Sequence, residues 1–135
     1  MSAVKAFVDT NLLVYLYSDT EPDKSKKVMD ALGQYECIVS TQVLNEFCHV
    51  CIRKMKIAVT DVRKALDEIT AVCRLMAVGE KDIFCALRIH DKYGYSYFDS
   101  LMIASSLNSD CRYLLSEDMA DGQVIDLRVM VRNIF

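Results

Sequence analysis

Several features that define common classes of protein are missing from this chain of 135 residues. No apolar run approaches the roughly 18 residues that a membrane-spanning helix needs, and the N-terminus lacks the charged and apolar regions of a secretory signal. Pro22 is the only proline, and the four glycines form no low-complexity tract or linker. These absences predict a single domain over residues 1–135 that is cytoplasmic and has no membrane partner.

The motifs of several enzyme classes are missing as well. The sequence has no G-x-x-x-x-G-K-[ST] and no G-x-G-x-x-G, so the loops of triphosphate and dinucleotide sites are absent. It has no G-x-S-x-G elbow, and neither His49 nor His90 has an obvious nucleophile beside it. A phosphatase motif D-x-D-x-T starting at Asp9 would need an acid where Asn11 stands. The chemistry must therefore come from other residues.

The six cysteines lack the spacing of a metal site. Cys48 and Cys51 form a C-x-x-C pair, but a structural zinc site would need a second close pair. The apolar pattern puts this pair in the middle of a helix, whereas a thioredoxin-like motif directly follows a strand. We expect free cysteines that pack in the core as small apolar side chains, which suits a reducing compartment.

The shares of apolar and charged residues limit the classes of protein that the chain can belong to. Apolar residues make up 53% and charged residues 26% of the chain, so it can bury a core without disulfides. The net charge of −3 weighs against a simple RNA-binding module, because such modules are often basic. It weighs less against a metal-dependent nuclease, because bound cations would restore attraction for phosphate.

Apolar periodicity predicts that strands alternate with helices, which is typical of an α/β domain with a parallel sheet. Gly33 and Gly94 are expected to end helices, and Thr41, Thr60 and Ser96 are expected to be N-caps. The predicted strands are residues 4–8, 37–40, 111–115 and 129–131, and the predicted helices begin near residues 11, 24, 41, 60, 80 and 96.

What the sequence does contain is four carboxylates in otherwise apolar or small-residue stretches: Asp9, Glu46, Asp99 and Asp118. Two of them end predicted strands and two lie in the early turns of predicted helices, so one edge of the sheet would hold all four. Taken singly, each has a local explanation. Asp9 could be an N-cap, Asp99 part of a capping box, Glu46 part of a polar stripe and Asp118 a turn residue. Those explanations leave the gathering of all four at one edge unexplained.

A cluster of four carboxylates favours a metal-dependent hydrolase. Close carboxylates repel by roughly 1–4 kcal/mol per pair, and the natural partner for such a cluster is a hard divalent cation. Two Mg²⁺ ions about 4 Å apart can activate water and stabilise the leaving oxygen of a phosphodiester. The pattern therefore favours hydrolysis at a phosphate.

Four short motifs carry a resemblance to a known family. The segments Val8–Asn11, Leu44–Phe47, Tyr97–Ala104 and Leu114–Met119 resemble those of the PIN-domain family, and in particular of the VapC-type toxins of bacterial toxin–antitoxin pairs. They come in the family's order and span nearly the whole chain. The resemblance implies a Rossmann-like parallel sheet of four to five short strands flanked by helices. It also implies an endoribonuclease that depends on Mg²⁺, with Mn²⁺ as a substitute.

The resemblance also implies roles for individual residues. Asp9, Glu46, Asp99 and Asp118 would be the catalytic, metal-binding acids. Asn11 and Ser116 would support them. Asp121 is a nearby acid that could replace or assist Asp118, so the fourth ligand stays open at this point.

The implied partners are RNA, a second copy of the chain in a homodimer, and a small VapB-like antitoxin that covers the acidic groove. An alternative from another class is a catalytically idle PIN-like module that binds RNA or protein. Two basic clusters could contact RNA phosphates or could simply be solvated helix faces; they are Lys24, Lys26 and Lys27, and Arg53, Lys54 and Lys56.

Overall fold

The computed structural model describes residues 3–135 as a layered α/β fold. A sheet of six strands lies between helices, and six helices are present in this part of the chain. The strands are β1 (Lys5–Val8), β2 (Glu36–Ser40), β3 (Arg74–Met76), β4 (Tyr113–Leu115), β5 (Val124–Ile125) and β6 (Val129–Arg132). The helices are α1 (Thr10–Leu16), α2 (Pro22–Gln34), α3 (Thr41–Arg53), α4 (Val59–Val72), α5 (Glu80–Tyr93) and α6 (Tyr97–Asn108).

The strand order β3-β2-β1-β4-β6-β5 places β1 in the interior of the sheet. All neighbouring pairs are parallel except β5 and β6. Ala6 pairs with Cys37 on one side and with Tyr113 on the other. The carboxyl ends of β1, β2 and β4 therefore meet at one edge, which is where ligands bind in such sheets.

The mostly parallel α/β fold confirms the prediction of fold class, but the sheet exceeds the expected four to five strands. The two strands that periodicity missed are β3 and β5, which have three and two residues. Most of their residues are exposed or half-buried, so neither shows the apolar run or alternation that identifies a strand. Their pairing with β2 and β6 creates them.

Two helix ends agree with the sequence prediction because local chemistry determines them. Helix α5 ends at Tyr93, and Gly94 follows it with φ +78°, a conformation that favours glycine. Ser96 precedes α6, and its hydroxyl accepts the Asp99 N–H at 3.2 Å.

Three other predicted ends are wrong. Thr41 is the first residue of α3, and the N-cap is Ser40, whose Oγ accepts the Val43 N–H at 3.3 Å. Helix α4 begins at Val59, so its N-cap position is Ala58, which makes no side-chain cap hydrogen bond, and Thr60 lies inside the helix. Gly33 does not stop α2, since its backbone stays helical and the helix continues to Gln34.

The core packs against both faces of the sheet and includes cysteines. Phe7, Ile38 and Leu114, on three neighbouring strands, are each at most 1% exposed. All six cysteines are free, and four are buried, as expected for apolar packing. Within residues 3–135, no helix combines the length and hydropathy needed to cross a membrane.

Candidate functional site

A cavity of about 430 Å³ opens at the carboxyl edge of the sheet and brings the four predicted acids together. Asp9 and Asp118 come from the ends of β1 and β4, while Glu46 and Asp99 come from α3 and α6. The complete lining is Asp9, Thr10, Asn11, Asn45, Glu46, His49, Val50, Asp99, Met102 and Asp118.

Asp9 is the buried centre of this site. Its side chain follows β1 at the N-cap position of α1, is 5% exposed and makes no side-chain cap hydrogen bond. The Ser116 hydroxyl donates to its Oδ2 at 2.8 Å. Burial raises the pKa of Asp9 to about 6, and the nearby charges of Asp99 and Asp118 add to that rise. The N-cap explanation therefore does not account for this carboxyl.

Glu46 faces the same cavity from α3. Its Oε1 accepts a hydrogen bond from Gln42 Nε2 at 3.0 Å, and its Oε2 lies 3.5 Å from Thr10 Oγ1. Burial raises the pKa of Glu46, and the charge of Asp99 acts in the same direction. Two neutral donors thus orient this carboxylate without neutralising it.

Asp99 and Asp118 line the cavity from less buried positions. Asp99 lies in the first turn of α6 and is half-buried. Asp118 lies in the exposed loop after β4, and Asn11 Nδ2 donates to its Oδ2 at 2.6 Å. Both supporting residues expected from the family motif, Asn11 and Ser116, thus contact acids of the cavity.

Two neighbouring acids that could have been mistaken for Asp118 point elsewhere. Glu117 accepts hydrogen bonds from Lys24 Nζ and Tyr15 Oη, both at 2.5 Å, and the Lys24 ammonium lowers the pKa of the Glu117 carboxyl. Asp121 Oδ1 accepts the Asn133 N–H at 2.9 Å, and Asp121 does not line the cavity.

Sequence reasoning assigned no site role to Thr10, Gln42, Asn45, His49 and Met102. Helical spacing could have found two of them, because Gln42 lies four residues before Glu46 and His49 lies three residues after it on α3. No sequence signal marks Met102 as part of the site, because an apolar residue on α6 is expected to pack in the core.

The electrostatics of the cavity fit a divalent cation. No lysine or arginine lines it, and within residues 3–135 none of the four acids forms a salt bridge. The donors are carboxylate, amide and hydroxyl oxygens, which Mg²⁺ and Mn²⁺ prefer. As they stand in the described part of the chain, no three acids, histidines or cysteines are close enough together to hold an ion.

Comparison with known proteins agrees with this geometry. The family model for the PIN domain matches residues 6–120. The chain belongs to the PIN domain family. The match includes all four acids of the cavity. No curated protein matches the chain in sequence.

Solved structures share the fold of this PIN domain at low sequence identity. A chain of a toxin–antitoxin complex from Klebsiella pneumoniae has a TM-score of 0.71 and 14% identity, over 96% of this chain and 98% of that one. The Mycobacterium tuberculosis toxin VapC20, described as cleaving the sarcin–ricin loop, has a TM-score of 0.65 and 16% identity, over 84% and 89%. FitAcB from Neisseria gonorrhoeae has a TM-score of 0.66 and 11% identity, over 96% and 97%. The TM-scores show that these proteins share the fold, and at identities this low the similarity shows the fold alone.

Proposed function

We propose that this PIN domain is a Mg²⁺-dependent endoribonuclease and the toxin of a VapBC-type toxin–antitoxin pair. The observation that carries the proposal is the open cavity lined by Asp9, Glu46, Asp99 and Asp118, without any cationic side chain. Membership of the PIN family and the fold shared with toxins support it.

The residues of the cavity divide the work between holding a cation and orienting its ligands. The four acids would hold the cation directly or through water. Ser116 engages Oδ2 of Asp9 and Asn11 engages Oδ2 of Asp118, so each of these carboxylates keeps Oδ1 for the cation. When bound, Mg²⁺ or Mn²⁺ supplies the Lewis acidity that activates water and stabilises the leaving oxygen of the RNA phosphodiester.

RNA can reach these acids along an exposed face of α3. Asn45, His49 and Arg53 recur at four-residue intervals, so they form one stripe that starts at the cavity. All three are exposed, and Arg53 belongs to a basic cluster expected to contact phosphate. The other cluster is less available, because Lys24 is already paired with Glu117.

Cleavage of RNA by the purified protein tests the nuclease assignment. The wild-type protein should cleave RNA internally in Mg²⁺ or Mn²⁺ and should stop when EDTA is in excess. Asp9→Asn should abolish cleavage, while Asp121→Asn, a matched change at an acid outside the cavity, should leave it intact. Undiminished, Mg²⁺-dependent cleavage by Asp9→Asn would refute the mechanism.

One observation favours the alternative of a catalytically idle RNA- or protein-binding module. Among the described residues, the acids are not already close enough together to hold an ion. Calorimetric titration with Mn²⁺ separates the two functions. Binding by the wild type that Asp9→Asn loses supports the nuclease, and no binding to either protein supports the idle module.

The proposed protein partner is a VapB-like antitoxin, and the surface of the early helices suits it. An apolar groove of about 480 Å³ lies between α1, α2 and α4. Met29 and Val72 line this groove and are 61% and 60% exposed, and contiguous exposed apolar surface marks sites of protein–protein interaction. We also propose a homodimer and a cytoplasmic location, where RNA and antitoxin would both be present.

A further inference from the structure

A second cavity, which we call the side cavity, adjoins the acidic one. It has a volume of about 340 Å³ and shares two of its lining residues, Asn45 and Glu46, with the acidic cavity. The remaining lining residues are Thr41, Gln42, Val78, Phe98 and Leu101. The surface of its walls is mostly apolar, and four of its seven lining residues carry polar groups, a combination that is usual in small-molecule sites.

Gln42, which lines the side cavity, holds a hydrogen-bond acceptor without a donor. Gln42 Nε2 donates to Glu46 Oε1 and to the Phe98 carbonyl, each at 3.0 Å. Both of its amide hydrogens are therefore committed, and the amide cannot be flipped without setting oxygen against oxygen. Gln42 Oε1 is enclosed by protein and has no partner within residues 3–135. A buried acceptor of this kind is costly unless a ligand supplies a donor.

The mouth of the side cavity carries an exposed aromatic ring. Phe98 is 63% exposed although it directly precedes Asp99, and its ring meets Tyr97 edge-on at 5.5 Å. An aromatic face next to a phosphodiesterase centre is suited to stacking on a base, because every nucleobase has a π-face. Gln42 Oε1 is covered by protein, so a base that enters would reach it by displacing a side chain of the lining. Asn45 is exposed and can move aside, which leaves the Phe98 ring in place to stack.

We propose that the side cavity binds the nucleobase of a nucleotide that flanks the scissile phosphate. This inference rests on the proposed function, since it places the base beside the acids that act on RNA. Phe98 stacks on the base, and Gln42 Oε1 accepts from its exocyclic amino group. Adenine and cytosine fit better than uracil, because each offers an exocyclic amino group, whereas the donor of uracil, N3–H, lies between two carbonyl oxygens that Gln42 Oε1 and the Glu46 carboxylate would repel.

Binding of short fluorescent oligoribonucleotides to the Asp9→Asn protein tests the proposal without cleavage. The probes are single-stranded homopolymers of adenylate, cytidylate and uridylate, and a ribose-phosphate oligomer of the same length without bases. Phe98→Ala should weaken binding of the adenylate and cytidylate probes by roughly 5- to 100-fold, the range found for base stacking on an aromatic residue. It should leave binding of the abasic probe unchanged, and Phe98→Tyr should restore affinity.

Phe84→Ala is the matched control, because Phe84 is 65% exposed on α5 and lines neither cavity. Equal losses on abasic and base-bearing probes would overturn the proposal. So would a Phe98→Ala protein that keeps full affinity, or one whose only defect is dissociation of a dimer in sedimentation. Gln42→Met should reduce the preference for adenylate over uridylate, and an unchanged preference would show that Gln42 does not read the base.

The two proposals fail separately in this design. A wild-type protein that binds base-bearing RNA through Phe98 but cleaves none of it would refute the nuclease and leave the base site standing. A wild-type protein that cleaves RNA, with Phe98→Ala equal to it in both affinity and rate, would do the opposite.

Discussion

Replacing Asp9 by asparagine should make the metal-free protein more stable while it destroys the candidate site. Burial of the Asp9 carboxylate raises its pKa from 3.8 to about 6. Since one unit of pKa is worth ~1.36 kcal/mol, this rise corresponds to about 3 kcal/mol of native-state cost at neutral pH. The residue is only 5% exposed, so solvent screens little of that cost. Asparagine has nearly the same shape and no charge to bury.

Some of the gain is offset by weaker hydrogen bonding. The Ser116 hydroxyl donates to the Asp9 carboxylate, and an amide offers one acceptor oxygen where the carboxylate has two. Loss of one such bond costs about 1 kcal/mol. We therefore expect a net stabilisation of about 1–3 kcal/mol, or roughly 3–10 °C in Tm for a chain of this size.

The pH dependence of this gain has a definite sign. Between pH 3.8 and about 6 the folded state holds the Asp9 proton more tightly than the unfolded state does. Stability of the wild type therefore falls as the pH rises through that window. The advantage of Asp9→Asn should be complete above about pH 7, roughly halved near pH 5 and absent below about pH 4.

Thermal and urea unfolding of the wild type and of Asp9→Asn in EDTA, followed by circular dichroism, test this prediction. Addition of Mg²⁺ should stabilise the wild type and shrink the difference, because a ligand that binds only the native state adds to its stability. Equal or lower stability of Asp9→Asn in EDTA at neutral pH would refute the reasoning. So would a difference that does not change with pH.

Three further predictions concern other contacts. Asp118→Asn should lower RNA cleavage by roughly tenfold or more, whereas Asp121→Asn should leave the rate unchanged, and equal losses in the two variants would argue against a special role for Asp118. Asp82→Ala should destabilise the fold by about 1–3 kcal/mol in urea unfolding, because the buried Asp82 carboxylate accepts hydrogen bonds from the Gly79 N–H and from the side-chain amide of Asn108 on α6. The control is Asp91→Ala, which changes an exposed acid on the same helix, α5. Met29→Asp should weaken binding of the antitoxin, measured by calorimetry, by on the order of tenfold or more, because it places a charge in the apolar groove. RNA cleavage should persist, and unaltered affinity for the antitoxin would exclude the apolar groove as the antitoxin's binding site.

The sequence predicts a residue of the candidate site where the position of that residue depends only on the strand or helix that carries it. Asp9 ends a short apolar strand, and Asp99 follows the Ser96 cap by three residues. Because the sheet is predicted to be parallel, the end of a strand and the start of the helix that follows a strand both lie at its carboxyl edge. Glu46 belongs to the same group, because it is the only acid in α3 and lies in the first half of that helix.

The fourth acid could not be chosen in this way. Glu117, Asp118 and Asp121 stand within five residues of one another in a loop, where no periodicity decides which way each side chain points. Contacts with distant parts of the chain decide it. Lys24 holds Glu117 across 93 residues, and Asn11 holds Asp118 across 107 residues.

The sequence by itself determined the α/β fold, the parallel direction of the central strands and the helix ends that depend on Gly94 and Ser96. These follow from apolar periodicity and from hydrogen bonds between near neighbours. Only the tertiary structure decided the short edge strands, which acid of the loop after β4 lines the acidic cavity, and the adjoining side cavity. The reason is that each of them depends on side chains and backbone brought together by folding, whose interactions leave no mark on the local sequence.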